Sequence, residues 1–268
     1  MKNERREDID IKVPSAHNPL IKQALENINK NLELKTMWKI INVNAIDRLN
    51  MSDHGPIHFQ IVSNIALKLA RELTKNGVQF SIAKDFQLTE NHGELVILLA
   101  SIMHDLGMTI NRKGHEEFSL FLAKGYLEKI LDFLPGEERV IVTTEVMHAI
   151  ISHRSGGDPM TIEGGVVRVA DALDLTKGRA VQSFQMGNID IFNLSVAAIE
   201  NVDIQSNATG TGKPIQIVIR MNNSAGLFQV DELLKEKLKG SGLEKYVAIR
   251  AVIETDTEKN LLKEFLIG

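Results

Sequence analysis

The chain has 268 residues, of which 43% are hydrophobic and 25% are charged, and its formal net charge is −4. This composition is typical of a globular protein with one large domain or with a main and a small domain, and the charge offers no general basic field to duplex nucleic acid. The absence of cysteine excludes disulfides, thiolate metal sites and a cysteine nucleophile. Since no apolar stretch reaches membrane-spanning length and the chain begins with the charged MKNERREDID, we expect a cytoplasmic protein without membrane contacts.

The first two thirds of the chain carry a helical pattern. Residues 1–19 are polar, include two prolines and predict an N-terminal arm. After them, apolar residues recur at three- and four-residue spacing between turns rich in glycine and proline. This spacing predicts helices over 20–48, 56–76, 93–106, 115–132, 137–153 and 162–177. We therefore expect a mainly α chain with a helical domain over residues 20–184.

The pattern changes after about residue 185. Alternating or β-branched residues predict strands over 202–205, 215–221 and 246–254, and an amphipathic pattern predicts a helix over 227–239. The segment NATGTG lacks the spacing of a P-loop and predicts a turn. Residues 185–268 should thus form a small α+β domain in the order strand–strand–helix–strand. Since exposed strand edges favour pairing between subunits, we expect a homodimer through this domain.

His104 and Asp105 follow the run ELVILLASIM, which is apolar on every face and is typical of a buried central helix. Gly107 is placed to end that helix. Burying either charge without a partner is costly, so the pair needs strong partners. A hydrogen bond between the two side chains and coordination of a metal by both are open at this point.

Further histidines stand at the ends of neighbouring predicted helices. His54 and His58 are four residues apart and share one helix face, and His115, His148 and His153 lie near later helix ends. A single histidine at such a position is more often a cap or a surface residue than a metal ligand. The number of these histidines and their order along the chain favour a common site.

Asp171 presents the same question on another predicted helix. It lies within VVRVADAL, a segment with little polar surface, so its charge needs a partner. Arg168 or Arg179 can form an ion pair with it, and a bound metal ion is the alternative.

Together, these residues resemble the motif of the HD-domain superfamily of metal-dependent phosphohydrolases. The resemblance rests on HFQIV from His58, on ASIMHDLG around His104 and Asp105, and on VADALD around Asp171, and it spans roughly residues 45–180. Minimal members hold one metal with these four residues, and binuclear members add two histidines between the HD pair and the last aspartate. The resemblance implies an HD-domain helical bundle with a binuclear site whose ligands are His58, His104, Asp105, His115, His153 and Asp171.

The resemblance also implies how such a site works. Asp105 is expected to bridge two divalent ions, with His58 and Asp171 on the first ion. His115 and His153 are expected on the second. Nitrogen and oxygen ligands favour Fe or Mn, with Zn, Co, Ni and Mg as further options. A metal-bound hydroxide would attack phosphorus, because bound cations lower the pKa of water to about 7.

Several polar residues near the motif have candidate roles around that site. We expect Asp105 and Glu116 to be catalytic, with Glu116 either a general acid or base or the residue that orients His115. His54 is expected to bind substrate or a third metal ion, and His148 to lie behind the ligands or in the core. The cationic candidates for binding substrate phosphate are Arg112, Arg154, Lys177 and Arg179.

The expected substrate is a phosphomonoester or a phosphodiester, and a nucleotide-like compound fits best. Cyclic-di-GMP is not expected, because RSGGDP over 154–159 stands where that branch of the superfamily has its GYP-containing loop. Two alternatives stay open. One is a di-iron oxygenase of the myo-inositol oxygenase type, which uses the same ligand order. The other is a non-catalytic ligand sensor whose C-terminal domain carries the output or the dimer contact.

Overall fold

The computed structural model describes residues 9–154, 156–175, 191–207, 212–254 and 264–267. Its α-helices are α1 (Pro19–Lys30), α2 (Leu32–Asn42), α3 (Pro56–Lys75), α4 (Ser81–Phe86), α5 (Glu90–Met103), α6 (His115–Ile130), α7 (Gly136–Ser152), α8 (Ile162–Ala172), α9 (Ile191–Ala198) and α10 (Lys235–Leu238). Its strands are β1 (Ile199–Ser206), β2 (Ile215–Met221), β3 (Val247–Ile253) and β4 (Glu264–Ile267). The prediction of a mainly α chain with an α+β C-terminal part is confirmed. Among the described helices, none has both the length and the apolarity that crossing a membrane requires.

Helix α5 forms the centre of the bundle. Every residue from His92 to Met103 is buried, because ELVILLASIM has no polar face to turn towards solvent. The helix packs against α1, α3, α7 and α8. At its start, the Thr89 and His92 side chains form a capping box with the backbone. Its other end therefore delivers His104 and Asp105 into the interior.

The predicted helical segment over 20–48 is divided in the structure. Asn31 ends α1, and its side-chain oxygen accepts the N–H of Leu34 at 2.9 Å to cap α2. The last part of the segment, Val43–Arg48, is a π-helical turn. The short helix α4 was not predicted at all, and α8 ends at Ala172, before the predicted end at 177. The spacing of apolar residues locates helices but does not reveal such side-chain caps.

The described part of the predicted N-terminal arm packs on the bundle. Ile11 is buried, with only 1% of its surface exposed. Its backbone N–H donates to the side-chain oxygen of Asn29, and the Asn29 amide donates back to the Ile11 carbonyl. Ile11 thus belongs to the same core as α1, and Val13 packs against that core.

The C-terminal strands form one mixed sheet in the order β1-β2-β3-β4. β1 pairs antiparallel with β2, β2 pairs parallel with β3, and β3 pairs antiparallel with β4. A parallel pair needs a crossover, and the chain between β2 and β3 supplies one with a π-helical turn over Gln229–Leu234 followed by α10. The described residues add α9 and β4 to the predicted order of strand–strand–helix–strand.

Helix α8 joins the sheet-containing unit to the helical bundle. Arg168 is 2% exposed, and its guanidinium donates to the carbonyl oxygens of Arg154 at 2.5 Å, Gly157 at 2.6 Å and Lys237 at 2.9 Å. One turn earlier, Gly165 lets the C-terminal chain approach very closely, since a Cβ there would lie 2.1 Å from the backbone oxygen of Ser241. The unit is therefore docked on α8 by buried, directional contacts.

We expect Gly165→Ala to destabilise the folded protein by about 1–3 kcal/mol, because the added methyl group would meet a backbone oxygen that cannot turn aside. Gly125→Ala in α6 is the matched control, since nothing lies within 4 Å of a Cβ at that position. The control should gain up to about 1 kcal/mol from the higher helix propensity of alanine. Urea unfolding of both variants measures the difference, and equal effects would contradict the close approach.

Candidate metal centre

Five helices bring the six predicted ligands together. His58 lies in the first turn of α3, His115 begins α6, and Asp171 lies in the last turn of α8. His104 and Asp105 directly follow α5, and His153 directly follows α7. Five of these side chains are at most 5% exposed, and Asp171 is 20% exposed. The termini of the bundle helices thus converge on one buried point.

Ligand atoms from these side chains lie close enough to share a cation. Among the described residues, two groups of three place one ligand atom each within 4.8 Å of one another. The first group is His58, His104 and Asp171, and the second is His104, Asp105 and His153. His104 belongs to both groups, so the two positions are adjacent.

Each of the four imidazoles is held from behind through Nδ1. Three of the partners are backbone carbonyl oxygens. Nδ1 of His104 lies 3.0 Å from the carbonyl oxygen of Ser101, and Nδ1 of His153 lies 2.5 Å from that of Ile150. Nδ1 of His115 lies 3.0 Å from the carbonyl oxygen of Arg112. Nδ1 of His58 is 2.6 Å from a carboxylate oxygen of Asp174. These oxygens accept, which assigns the proton to Nδ1 in His58, His104 and His153. At His115, Nη1 of Arg112 also lies 2.9 Å from Nδ1, so the contacts at that nitrogen do not assign its proton. Such outer contacts are usual for histidines that bind metal through Nε2.

The inward-facing nitrogens of His58 and His104 form an electron-rich pair. Their Nε2 atoms are 3.1 Å apart, and Oδ1 of Asp171 lies 3.5 Å and 3.7 Å from them. With the protons committed to Nδ1, both nitrogens of the neutral rings present lone pairs to each other and to a carboxylate. Such a group is stable in a buried place only with a proton or a cation among its atoms. The donor set therefore fits a divalent metal ion.

Asp105 turns its two oxygens in different directions. Oδ2 lies 3.6 Å from Nε2 of His104 and 3.9 Å from Nε2 of His58. Oδ1 lies 3.0 Å from Nε2 of His115. One oxygen of Asp105 thus faces His58 and His104, and the other oxygen faces His115.

Burial and neighbouring charges shift the protonation of the cluster. Burial lowers the pKa of His104, and burial with the nearby charges of His104 and Lys237 lowers the pKa of His153 to about 3. Burial would raise the pKa of Asp105, but His104 and His115 hold it well below its usual range. Burial alone would lower the pKa of His115. The hydrogen bond to Asp105 and the charge of that carboxylate outweigh burial and raise the pKa of His115. Ionised carboxylates and largely neutral imidazoles are the forms that bind metals.

A serine hydroxyl links two of the ligand-bearing segments. Oγ of Ser119 lies 2.6 Å from the carbonyl oxygen of His104 and 2.7 Å from that of His115, and it accepts the N–H of Gly107 at 2.8 Å. Gly107 is needed at this contact, because a Cβ there would lie 2.0 Å from the His115 oxygen. The end of α5 and the start of α6 are therefore held at a fixed spacing.

Two buried aspartates support His58. Asp174 accepts from its ring, as described above, and so lies behind a candidate ligand. Asp53 accepts the backbone N–H groups of Gly55 at 2.9 Å and His58 at 3.3 Å, and so supports the first turn of α3, whose N-cap residue is Gly55. The role of Asp53 was not predicted, although it lies two residues before Gly55 and three before Pro56, and an aspartate close to a helix start is a signal for contacts of this kind.

The structure distributes the other predicted site residues around the cluster. Glu116 lies behind His115, with Oε2 3.2 Å from its Nδ1, which is the position of an orienting residue. Nη1 of Arg112 also lies beside that ring, 2.9 Å from Nδ1. The ring of His54 is centred 5.7 Å from that of His58, adjacent to the ligands.

The remaining candidates are less close to the ligands or cannot be placed. The guanidinium of Arg154 pairs with Glu117 at 2.7 Å, and its side chain is 44% exposed. Nε2 of His148 accepts the N–H of Met160 at 2.9 Å, so this histidine holds a loop. Lys177 and Arg179 lie outside the described residues, and their roles stay predictions.

Asp171 forms an ion pair with a lysine that the sequence did not suggest. Arg168 binds backbone carbonyls, and Arg179 is outside the described residues. Among the residues that the structure describes, Lys237 of α10 lies beside this carboxylate, with Nζ 3.2 Å from Oδ2 of Asp171. The two residues are 66 positions apart, and no local pattern in the sequence predicts their contact.

Comparisons with known proteins agree with this geometry. Residues 57–176 match the HD domain family. An uncharacterized protein of Methanocaldococcus jannaschii is 38% identical over 97% of this chain and 99% of its own length. A ribonuclease Y of Onion yellows phytoplasma is 23% identical over 89% of this chain and 43% of its own length. A deoxyguanosinetriphosphate triphosphohydrolase-like protein of Caldanaerobacter subterraneus is 28% identical over 40% of this chain and 32% of its own length.

The depressed pKa of His153 predicts acid sensitivity of the metal-free protein. Between pH 6.5 and about 3, the unfolded chain binds a proton at this histidine and the folded protein does not. The free energy of unfolding therefore falls as the pH falls through this range. In His153→Asn this loss is absent, and the amide can still donate to Ile150. The stability difference between the wild type and the variant should change by about 1.4 kcal/mol per pH unit in favour of the variant below pH 6. Urea unfolding in chelator from pH 7 to 4 measures it; a constant difference would contradict the prediction.

Proposed function

Because the chain belongs to the HD-domain superfamily, whose members are typically metal-dependent hydrolases, we propose that it is a phosphohydrolase with two divalent ions at this centre. The observation that supports this most is the pair of Nε2 atoms of His58 and His104, 3.1 Å apart, with carboxylate oxygens beside them. Histidine nitrogens and carboxylate oxygens without any thiolate suit Fe or Mn, and also Zn, Co, Ni or Mg.

Two adjacent ligand groups support a binuclear arrangement. His58 and Asp171 would hold one ion together with His104, and His153 and His115 would hold the other. Asp105 would take part in both, since its oxygens face opposite neighbours. When bound, two such ions supply Lewis acidity to phosphoryl oxygens and bring the pKa of a water molecule towards neutrality.

The residues of the chain would orient and complete this site. Asp174 keeps His58 in the tautomer with Nε2 turned inward, and the carbonyl groups at the ends of α5 and α7 do the same for His104 and His153. We propose Glu116 as the orienting residue of His115, because it lies behind the ring. Arg112, beside the same ring, would contact a phosphoryl oxygen.

We propose a nucleotide-like phosphomonoester or phosphodiester as the substrate. The names of two relatives, a ribonuclease and a deoxyguanosinetriphosphate triphosphohydrolase-like protein, denote hydrolysis of nucleic acid or nucleotide. Each match covers less than half of the relative's own length, so these names support the kind of bond that is cleaved better than the substrate itself.

The test begins with metal analysis of protein purified without chelator, followed by chelation and stepwise return of Mn or Fe. Release of p-nitrophenol from p-nitrophenyl phosphate or bis-p-nitrophenyl phosphate, or hydrolysis of a member of a nucleotide set, should return with the metal and should not need oxygen. Turnover that requires O₂ would support the di-iron oxygenase instead. Tight metal binding without hydrolysis of any phosphoester would support the ligand sensor.

His104→Gln should lower hydrolysis by more than the roughly 100-fold that is typical of changes behind a ligand, because this residue belongs to both ligand groups. His148→Gln is the matched control, since its Nε2 binds the backbone of Met160 away from the cluster. The control should keep activity within about threefold of the wild type. Melting temperatures establish that both variants are folded, and similar activities of two folded variants would contradict the proposed site.

A further inference from the structure

Lys237 reaches the candidate metal centre from the C-terminal unit. Its Nζ atom lies 3.2 Å from Oδ2 of Asp171 and 2.5 Å from the carbonyl oxygen of His153. The side chain is only 16% exposed. One ammonium group from outside the matched HD region thus contacts two segments that carry candidate ligands.

The surrounding contacts hold this lysine in place. Nε of Arg168 donates to the carbonyl oxygen of Lys237 itself at 2.9 Å, and its terminal nitrogen lies 3.1 Å from Oε1 of Glu236. The close approach of Gly165 to Ser241 fixes the chain a few residues further on. By contrast, Lys235 on the same short helix is 55% exposed and pairs with Asp231 on the surface.

The charges around Lys237 change their balance when a cation is bound. Asp171 turns Oδ1 towards Nε2 of His58 and His104 and Oδ2 towards Lys237, so without a cation the lysine compensates the carboxylate. A cation held by Asp171 takes over that compensation. The ammonium is then a largely buried positive charge beside further positive charge, and such a group requires an anion.

The hydrogen bonds of the ammonium leave a donor for that anion. An ammonium group has three N–H bonds. The contacts to Asp171 and to the His153 carbonyl use two of them. The third can point to an oxygen of a ligand bound next to the metal ligands.

We propose that Lys237 binds a phosphoryl oxygen at the metal centre, so that the C-terminal unit supplies a substrate-binding residue to the HD-domain site. This inference rests on the proposed phosphohydrolase function. The group that Lys237 would recognise is a phosphate dianion or a phosphate monoester. Both the substrate and the inorganic phosphate that hydrolysis releases can present it.

The test measures two affinities in Lys237→Met, Lys237→Gln and Lys237→Arg, with Lys235→Met as the matched control. Calorimetry gives the affinity of chelated protein for Mn²⁺ and the affinity of the Mn²⁺-loaded protein for inorganic phosphate. Loss of the charge in the Met and Gln variants should weaken phosphate binding at least about tenfold. It should not weaken Mn²⁺ binding, because a positive charge next to the cation has been removed. Lys237→Arg should retain part of the phosphate affinity, and Lys235→Met should match the wild type in both measurements.

The outcomes separate this inference from the proposed function. Unchanged phosphate affinity in folded Met or Gln variants, with a wild type that binds phosphate, would overturn the role of Lys237 alone. Weaker Mn²⁺ binding in these variants would also overturn it, since Lys237 would then act by holding Asp171. A wild type that binds Mn²⁺ but neither binds phosphate nor hydrolyses phosphoesters would overturn both. Circular dichroism identifies any variant that is unfolded, and the Gln variant, close to lysine in hydrogen bonding, replaces Met in that case.

Discussion

The four imidazoles of the candidate metal centre are oriented from their outer sides, and much of the architecture follows from this constraint. Three of the outer partners are backbone carbonyls at helix ends or turns, and the fourth is Asp174. A carbonyl can orient a ring only if the helix that carries it ends at the right place. The lengths of α5 and α7, the start of α6 and the tight turn at Gly107 therefore serve one requirement, which is that the Nε2 atoms point inward.

The appended unit packs closely beside the same candidate centre. The guanidinium of Arg168 donates hydrogen bonds to carbonyl groups that follow α7 and to the backbone of α10. One side chain therefore fixes both the loop after His153 and the position of Lys237. The burial of this arginine is compensated by several charge-assisted hydrogen bonds to backbone oxygens. The helical bundle and the sheet-containing unit are consequently joined by buried contacts next to the candidate metal centre.

Much of the bundle could be predicted from the sequence, because helical spacing and the polar ends of apolar runs are local signals. The central helix before His104 is the clearest example, since it has no polar face. The break at Asn31 and the short helix α4 were missed, because side-chain caps decide them. The contacts of Ser119 and Lys237 could not be predicted either. They join positions up to 84 residues apart, and nothing in their neighbourhoods marks them.

The close approach at Gly165 has a consequence for comparing relatives. A side chain at this position and the present path of the chain at Ser241 exclude each other sterically. The residue aligned with Gly165 is therefore a marker that can be read from sequence alone. Among HD-domain chains of similar length, glycine there should accompany a C-terminal unit docked on α8, and a larger residue should accompany a unit that is absent or attached elsewhere. The marker would divide such chains into two architectural groups before any of their structures is known.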